Sequence, residues 1–216
     1  MGSTRTVETP QKSDGRRDVG ERTRQRLLEA TRELLAERGE DAIRLRDITE
    51  AAQVNVAAVN YHFGCLKALY NAAIKEAFET IINESIDQLA ELSDDATLEE
   101  IVTAWVGPAI AARLGPQCEK RAFMRITARA SSHPPEELCE WMAATLARFH
   151  DELVARLSQA LPGVPESELR FRVACAGGIL HVLRTDGMQA ELEHVPPSEV
   201  QRLLIPVISG ALGARA

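Results

Sequence analysis

Apolar residues recur at three- and four-residue spacings along most of the chain, and no stretch alternates apolar with polar. That pattern predicts helices and no sheet. The first clear face begins at Glu21, where Leu27, Ala30, Leu34 and Leu35 share one side, and Gly39 stands where a helix would stop. A short helix is predicted over residues 45–52, with Leu45, Ile48 and Ala52 inward. Gln53 and Val54 form a tight link. Asn55, a good N-cap, opens a third short helix that reaches Phe63 with Val56, Val59 and Phe63 as its core face, and Gly64 ends it. Three helices with a short turn between the second and third make the helix-turn-helix arrangement.

Longer amphipathic runs follow over residues 66–92, 97–114, 117–131, 135–160, 166–185 and 198–212. Their separators are helix breakers: His133-Pro134-Pro135, Leu161-Pro162-Gly163 and Pro196-Pro197. Pro108 and Pro206 fall inside two runs and are expected to kink or bend them. No internal repeat is visible. The fold class is therefore all-α, divided into a polar arm over 1–20 expected to be disordered, a helix-turn-helix unit over 21–68 and a larger helical unit over 69–216.

Composition agrees with this division. Hydrophobic residues make up 45% of the chain and aromatic residues only 4%, enough apolar material for a core built mainly of aliphatic side chains. No run is long and apolar enough to be a transmembrane helix, and the N-terminus lacks the apolar segment of a secretory signal. The four cysteines, Cys65, Cys118, Cys139 and Cys175, are irregularly spaced, which reads as reduced thiols in a cytoplasmic protein.

Charge changes the picture only when it is divided along the chain. The net charge is -7, which argues against a nucleic-acid partner at first sight. Through residue 72, however, 12 Lys and Arg face 11 Asp and Glu, leaving 13 against 21 for the rest. An acidic bulk would turn its near-neutral, arginine-bearing end toward a phosphate backbone.

The third helix carries chemistry suited to that task. Asn55 and Asn60 have amides able to pair bidentately with adenine in the major groove, and Ala57 and Ala58 are small enough to touch a thymine methyl. Asn55 can equally serve as the cap. Tyr61 and His62 can donate to phosphates, and Arg44, Arg46 and Lys67 are further phosphate candidates. Arg16, Arg17, Arg22 and Arg24 can line the backbone or minor groove.

The segments Arg26-Leu27-Leu28-Glu29-Ala30, Leu34-Leu35-Ala36-Glu37-Arg38-Gly39, Leu45-Arg46-Asp47-Ile48 and Val54-Asn55-Val56-Ala57-Ala58-Val59-Asn60-Tyr61-His62-Phe63-Gly64 together resemble the DNA-binding domain of TetR-type repressors. The third-helix stretch is similar to a subgroup that includes fatty-acid-responsive regulators. Three positions depart from the family pattern. Gln53 replaces the usual turn glycine, and Arg44 the usual Ser or Thr cap. Cys65-Leu66 replaces the usual Ser-Lys, with Lys67 one step on. The resemblance implies double-stranded operator DNA and a small-molecule effector as partners, and a repressor released by an apolar or acyl-type ligand. It also implies a homodimer through the last two helices. Leu169, Val173, Gly177 and Leu180 would form one face of that dimer, and Val200, Leu203, Leu204 and Val207 the other. Within the larger unit Trp105, Phe123, Met124, Trp141, Phe149, Phe171 and His181 are either pocket lining or plain core. Arg125 and Arg129, one turn apart, either hold an acidic ligand or form a solvated face.

The sequence holds no G-x-S-x-G, G-x-G-x-x-G, P-loop or H-E-x-x-H motif, so no enzymatic activity, catalytic residue or cofactor is expected. His62 and Cys65 lack a second pair for zinc, so no metal is expected either. The alternative to a DNA-binding regulator is a helical ligand-binding protein whose reading unit has been weakened or lost, a possibility raised by Gln53 and Leu66.

Overall fold

The computed structural model of the chain describes residues 14–38, 40–114, 126–127, 129–183, 188, 191–192 and 194–214. Every regular element among them is helical: α1 (Asp14–Arg38), α2 (Leu45–Ala51), α3 (Val56–Phe63), α4 (Leu66–Ala90), α5 (Leu98–Leu114), α6 (Cys139–Ala160), α7 (Glu166–Leu183) and α8 (Pro197–Gly213), with short 3-10 turns at Glu40–Ala42 and Glu136–Leu138. Residues 126–127 and 129–132 are helical as well.

Helix α1 starts seven residues before the apolar face that reveals it. Residues 14–20 are therefore helix rather than disordered arm, and residues 1–13 lie outside the described part. This first stretch has no buried stripe to betray it: its one large apolar side chain, Val19, is 62% exposed. From Leu27 onward α1 packs on α2, α3 and α4, and Leu27, Ile48, Val59 and Leu69 are completely buried in the small core they share. Tyr70 ties the same region together. Its buried hydroxyl donates to the Ile43 carbonyl at 2.9 Å, and burial pushes its pKa above the ordinary tyrosine value.

The turn between α2 and α3 is a Schellman closure. The Val54 N–H donates to the Thr49 carbonyl at 3.0 Å, and the Gln53 N–H to the Glu50 carbonyl at 3.1 Å. That pattern needs a left-handed residue, and Gln53 takes it at φ 52°. Its carbonyl is in turn held by the Arg26 guanidinium at 3.1 Å. A side chain at positive φ is strained where glycine is not, so the departure at position 53 alters the energy of the turn and leaves its geometry intact.

Beyond the turn, α4 belongs to both parts of the molecule. Its first half packs on α1 and α3, and its length also packs on α5 and α6. The residues buried along it run from Leu69 to Leu89. Arg32 of α1, only 3% exposed, meets Glu76 of α4 at 2.7 Å. Around α4 the body closes with α5 along α8, α6 against α7, and α7 against α8. Pro108 and Pro206 sit within α5 and α8 without ending them. The run predicted from residue 135 begins as a 3-10 turn, with the Leu138 N–H donating to the Pro135 carbonyl at 2.8 Å, and becomes α-helical at Cys139.

The Gln53 side chain is exposed, so glycine there would forfeit little packing. Gln53→Gly is therefore expected to stabilise the chain by about 0.5–1 kcal/mol, through relief of the left-handed backbone. Urea unfolding measures this, and an unchanged or lower midpoint would contradict the strain.

Candidate nucleic-acid interface

The first four N–H groups of a helix lack intrahelical partners, and polar caps take up some of them. Asn55 does so for α3: its Oδ1 accepts the Ala57 N–H at 2.9 Å. A fully bidentate contact with adenine would need that same oxygen, so the structure gives Asn55 the capping role and leaves its amino group to a ligand. The cap of α2 is half made. The Arg44 N–H donates to the Asp47 carboxylate at 2.8 Å, and a guanidinium has no acceptor with which to reciprocate.

Packing against α1, α2 and α4 fixes which side of α3 faces out. Val59 is fully buried and Phe63 half-buried, whereas Val56, Ala57, Asn60 and Tyr61 are exposed, Tyr61 to 84%. Val56 was expected in the core face. It points outward at 43% exposure and adds an apolar group beside Ala57 on the open side. Ala58 is half-buried against the core. His62 is half-buried too: a Cβ placed on Gly20 of α1 would lie 3.8 Å from its ring, and Tyr61 meets it edge-on with centroids 4.9 Å apart. The helix thus presents a small patch of Val56, Ala57, Asn60 and Tyr61, with His62 tucked beside α1.

The cations around the patch are partly engaged. Arg46 bonds Glu50 at 2.8 Å on the exposed side of α2. Arg24 lies 3.5 Å from Glu21, and its guanidinium carbon is 5.5 Å from the Phe63 ring centre, which anchors the start of α1 to the end of α3. Lys67 is held by Glu137 from the Glu136–Leu138 turn. That carboxylate raises the lysine's pKa, and Lys67 in return holds the Glu137 carboxyl below its ordinary value. Sequence reasoning missed this partner because the two residues are distant in the chain and nothing local links them.

Inside the body, a small cavity of about 60 Å³ is lined by Trp105, Phe149, Phe78, Leu146, Leu180 and others, with Ser85 and Thr127 as its polar members. Trp105 and Phe149, both singled out from sequence, therefore meet at one site. Ser85 did not stand out as a lone serine in an apolar run. Its hydroxyl lies 3.2 Å from the Ile81 carbonyl and 3.3 Å from that of Trp105, which bridges α4 to α5. Trp141 is elsewhere, half-buried with Lys75 over its ring at 5.2 Å. His181 pairs with Ser132 at 3.3 Å. Phe171 is 69% exposed on the outside of α7, so it lines no interior cavity. Phe123, Met124 and Arg125 lie outside the described residues. Arg129 donates to the Leu35 carbonyl at 3.0 Å, which joins the body to the last turn of α1. A larger cleft of about 440 Å³ opens there, between the end of α1, Ile74 of α4 and residues 126–135.

The expected dimer residues divide. Leu169, Val173, Leu180, Val200 and Leu204 are buried in the chain's own core, because their spacing places them on the inward sides of α7 and α8. Leu203 and Val207 are exposed, at 53% and 56%, and Gly177 is half-buried. The outward stripe of α7 is Phe171, Ala174, Cys175 and Gly178.

A three-helix head with an open α3 face, carried on a helical body by a shared α4, defines the class of helix-turn-helix regulators. The profile described as bacterial regulatory proteins of the tetR family matches residues 27–73, and that described as a tetracyclin repressor-like C-terminal domain matches residues 103–211. The chain belongs to the TetR family of DNA-binding transcriptional regulators. No curated protein matches it in sequence. Among solved structures it is similar to a TetR-like transcriptional regulator from Rhodococcus sp. RHA1, with a TM-score of 0.67, 12% identity, and 89% of this chain and 97% of that one covered. It is also similar to NalD of Pseudomonas aeruginosa, the secondary repressor of the MexAB-OprM multidrug efflux pump, with a TM-score of 0.60, 20% identity, and 88% and 95% covered. A third is a regulator from Saccharomonospora viridis in complex with choline, with a TM-score of 0.64, 16% identity, and 87% and 96% covered. At such identities the likeness is one of fold. No described helix is long and apolar enough to cross a membrane.

Asn55 and Asn60 are expected to separate when each is changed to alanine. Asn55→Ala removes a cap and should lower folding stability by about 1 kcal/mol, whereas Asn60→Ala, on an exposed face, should leave it within about 0.5 kcal/mol. Thermal unfolding of the two variants distinguishes them, and equal midpoints would contradict the capping assignment.

Proposed function

We propose that the chain represses transcription by binding operator DNA as a homodimer through α3, and that a small apolar or acyl-type ligand in the body releases it. The open patch of Val56, Ala57, Asn60 and Tyr61 carries the first part of this reading. Val56 and Ala57 suit thymine methyls, Asn60 suits an adenine edge, and Tyr61, Arg44 and Arg46 suit phosphates. His62 and Lys67 take part once their present contacts yield. The division into a reading unit over 21–68 and a sensing and dimerising unit over 69–216 follows the same reading, as does a cytoplasmic location.

Dimerisation is supported by the outward stripes of α7 and α8. Phe171, Leu203 and Val207 are large apolar side chains left in water. A Cβ at Gly177 or Gly178 would meet nothing within 4 Å inside this chain. Glycine in mid-helix costs about 1 kcal/mol relative to alanine. Close approach of a second copy gives that cost a purpose. The interface then comprises Phe171, Ala174, Cys175, Gly178, Leu203 and Val207 together with Gly177.

The ligand reading rests on the cavity beside Trp105 and Phe149. Its lining is mostly apolar, with Ser85 and Thr127 as handles. At about 60 Å³ it must widen to admit an acyl chain, and a ligand that selects the widened state would shift α4 and with it the head. Operator and ligand should then oppose one another reciprocally.

Asn60→Ala is expected to weaken operator binding by about 1–3 kcal/mol and relax preference at one base pair. A mobility-shift series against the DNA flanking the gene reads this directly, and unchanged affinity and preference would remove α3 as the reading helix. Gly178→Arg should raise helix propensity while placing a charge in the proposed interface. Light scattering is expected to show a monomer with intact helicity and weakened operator binding, and a persistent dimer would move the interface elsewhere. Titrating fatty acids and acyl-thioesters with and without operator tests the ligand class, since a compound bound equally well in both conditions is no inducer.

A further inference from the structure

Lys67 is the second residue of α4, where a cation opposes the helix dipole. It stands at the end of the turn that follows α3, on the part of the molecule proposed to face DNA. Its ammonium is met by Glu137, which belongs to the body. Glu40 and Glu136 add further negative charge around it. The position of Glu137 is set by the body. The neighbouring Leu138 is buried to 2% exposure, and its N–H donates to the Pro135 carbonyl at 2.8 Å. Glu137 therefore follows the start of α6, while Lys67 follows α4 and the head.

We propose that Glu137 is an electrostatic latch on the reading head: it competes with the DNA backbone for Lys67, and movement of the Glu136–Leu138 turn away from α4 frees the lysine and strengthens binding. The inference rests on the reading of the chain as a DNA binder and adds a regulatory contact to it. An ammonium has three donors and is not saturated by one carboxylate. What opposes DNA is the carboxylate's own charge, fixed beside the phosphate track. Lys67 and Glu137 are 58% and 47% exposed, so water and salt screen them. The effect on affinity is accordingly a factor of a few at low salt, and it fades as salt rises. A ligand in the body that holds the turn against α4 keeps the latch closed, and one that draws the turn away opens it.

The test is a double-mutant cycle of wild type, Glu137→Gln, Lys67→Ala and the double variant, with Glu140→Gln as a control. Glu140 is an exposed carboxylate in the first turn of α6. A fluorescent duplex of arbitrary sequence serves as probe, because phosphate contacts are blind to sequence. Anisotropy titrations at about 50 mM and about 200 mM salt give the affinities and the salt slope. Glu137→Gln should tighten binding about two- to fivefold at the lower salt and less at the higher. Lys67→Ala should weaken binding and reduce the salt slope by about 1. In the Lys67→Ala background the gain from Glu137→Gln should shrink to that of Glu140→Gln alone. A gain of equal size in that background, or from Glu140→Gln, would mean general charge and overturn the latch, as would no gain at all. If wild type binds DNA and Lys67→Ala binds it equally well, the latch fails while the DNA-binding reading stands. If wild type binds no duplex, both fail.

Discussion

Arg32 lies almost wholly out of water on α1, with its guanidinium 2.7 Å from the Glu76 carboxylate of α4. A buried cation carries a large desolvation cost, and its carboxylate partner cannot be moved away without leaving that charge unpaired, so this ion pair constrains how α1 and α4 sit together. Much else depends on that register. With it in place, Tyr70 reaches the Ile43 carbonyl, Leu69 enters the core of the head, and the later turns of α4 reach α5 and α6. One uninterrupted helix is thus buried at one end by the reading head and at the other by the body. Head and body therefore share α4 as a common structural member.

Much of this arrangement was legible from residue patterns, because helix signals are local. Leu27, Leu34 and Leu35 marked the face of α1, Asn55 and Gly64 bracketed α3, and the paired prolines at 134–135 and 196–197 separated the later helices. Misreadings arose where the deciding fact was not local. Residues 14–20 form helix without an apolar stripe, so polar composition alone suggested an arm.

The candidate site was legible to a lesser degree. Residue type identified Asn55, Asn60 and Tyr61 on α3, and the chemistry of amides and hydroxyls was enough for that. Which of them point outward depends on how α3 docks on α1, and helical spacing around a short helix does not determine it: Val56 was assigned inward and lies outward. The same ambiguity affected α7 and α8. Leu169, Val173 and Leu180 form a regular stripe, as a helix buried in its own chain also would. The stripe on the opposite side, with alanine, cysteine and glycine among its members, carries little apolar weight. Glu137 beside Lys67 was beyond reach, since only the folded chain brings them together.

Phe171, Leu203 and Val207 have one more consequence, which concerns amount rather than shape. Their apolar surface meets water in the isolated chain, and anything that covers it binds the folded form and not the unfolded one. Folding is then coupled to assembly by mass action. When the cover is a second copy, dilution costs the protein fold as well as partner, and the melting temperature climbs with concentration. Scarcity would then select against the half-assembled protein: a lone subunit, the form with only one reading helix, is also the form most exposed to unfolding and proteolysis.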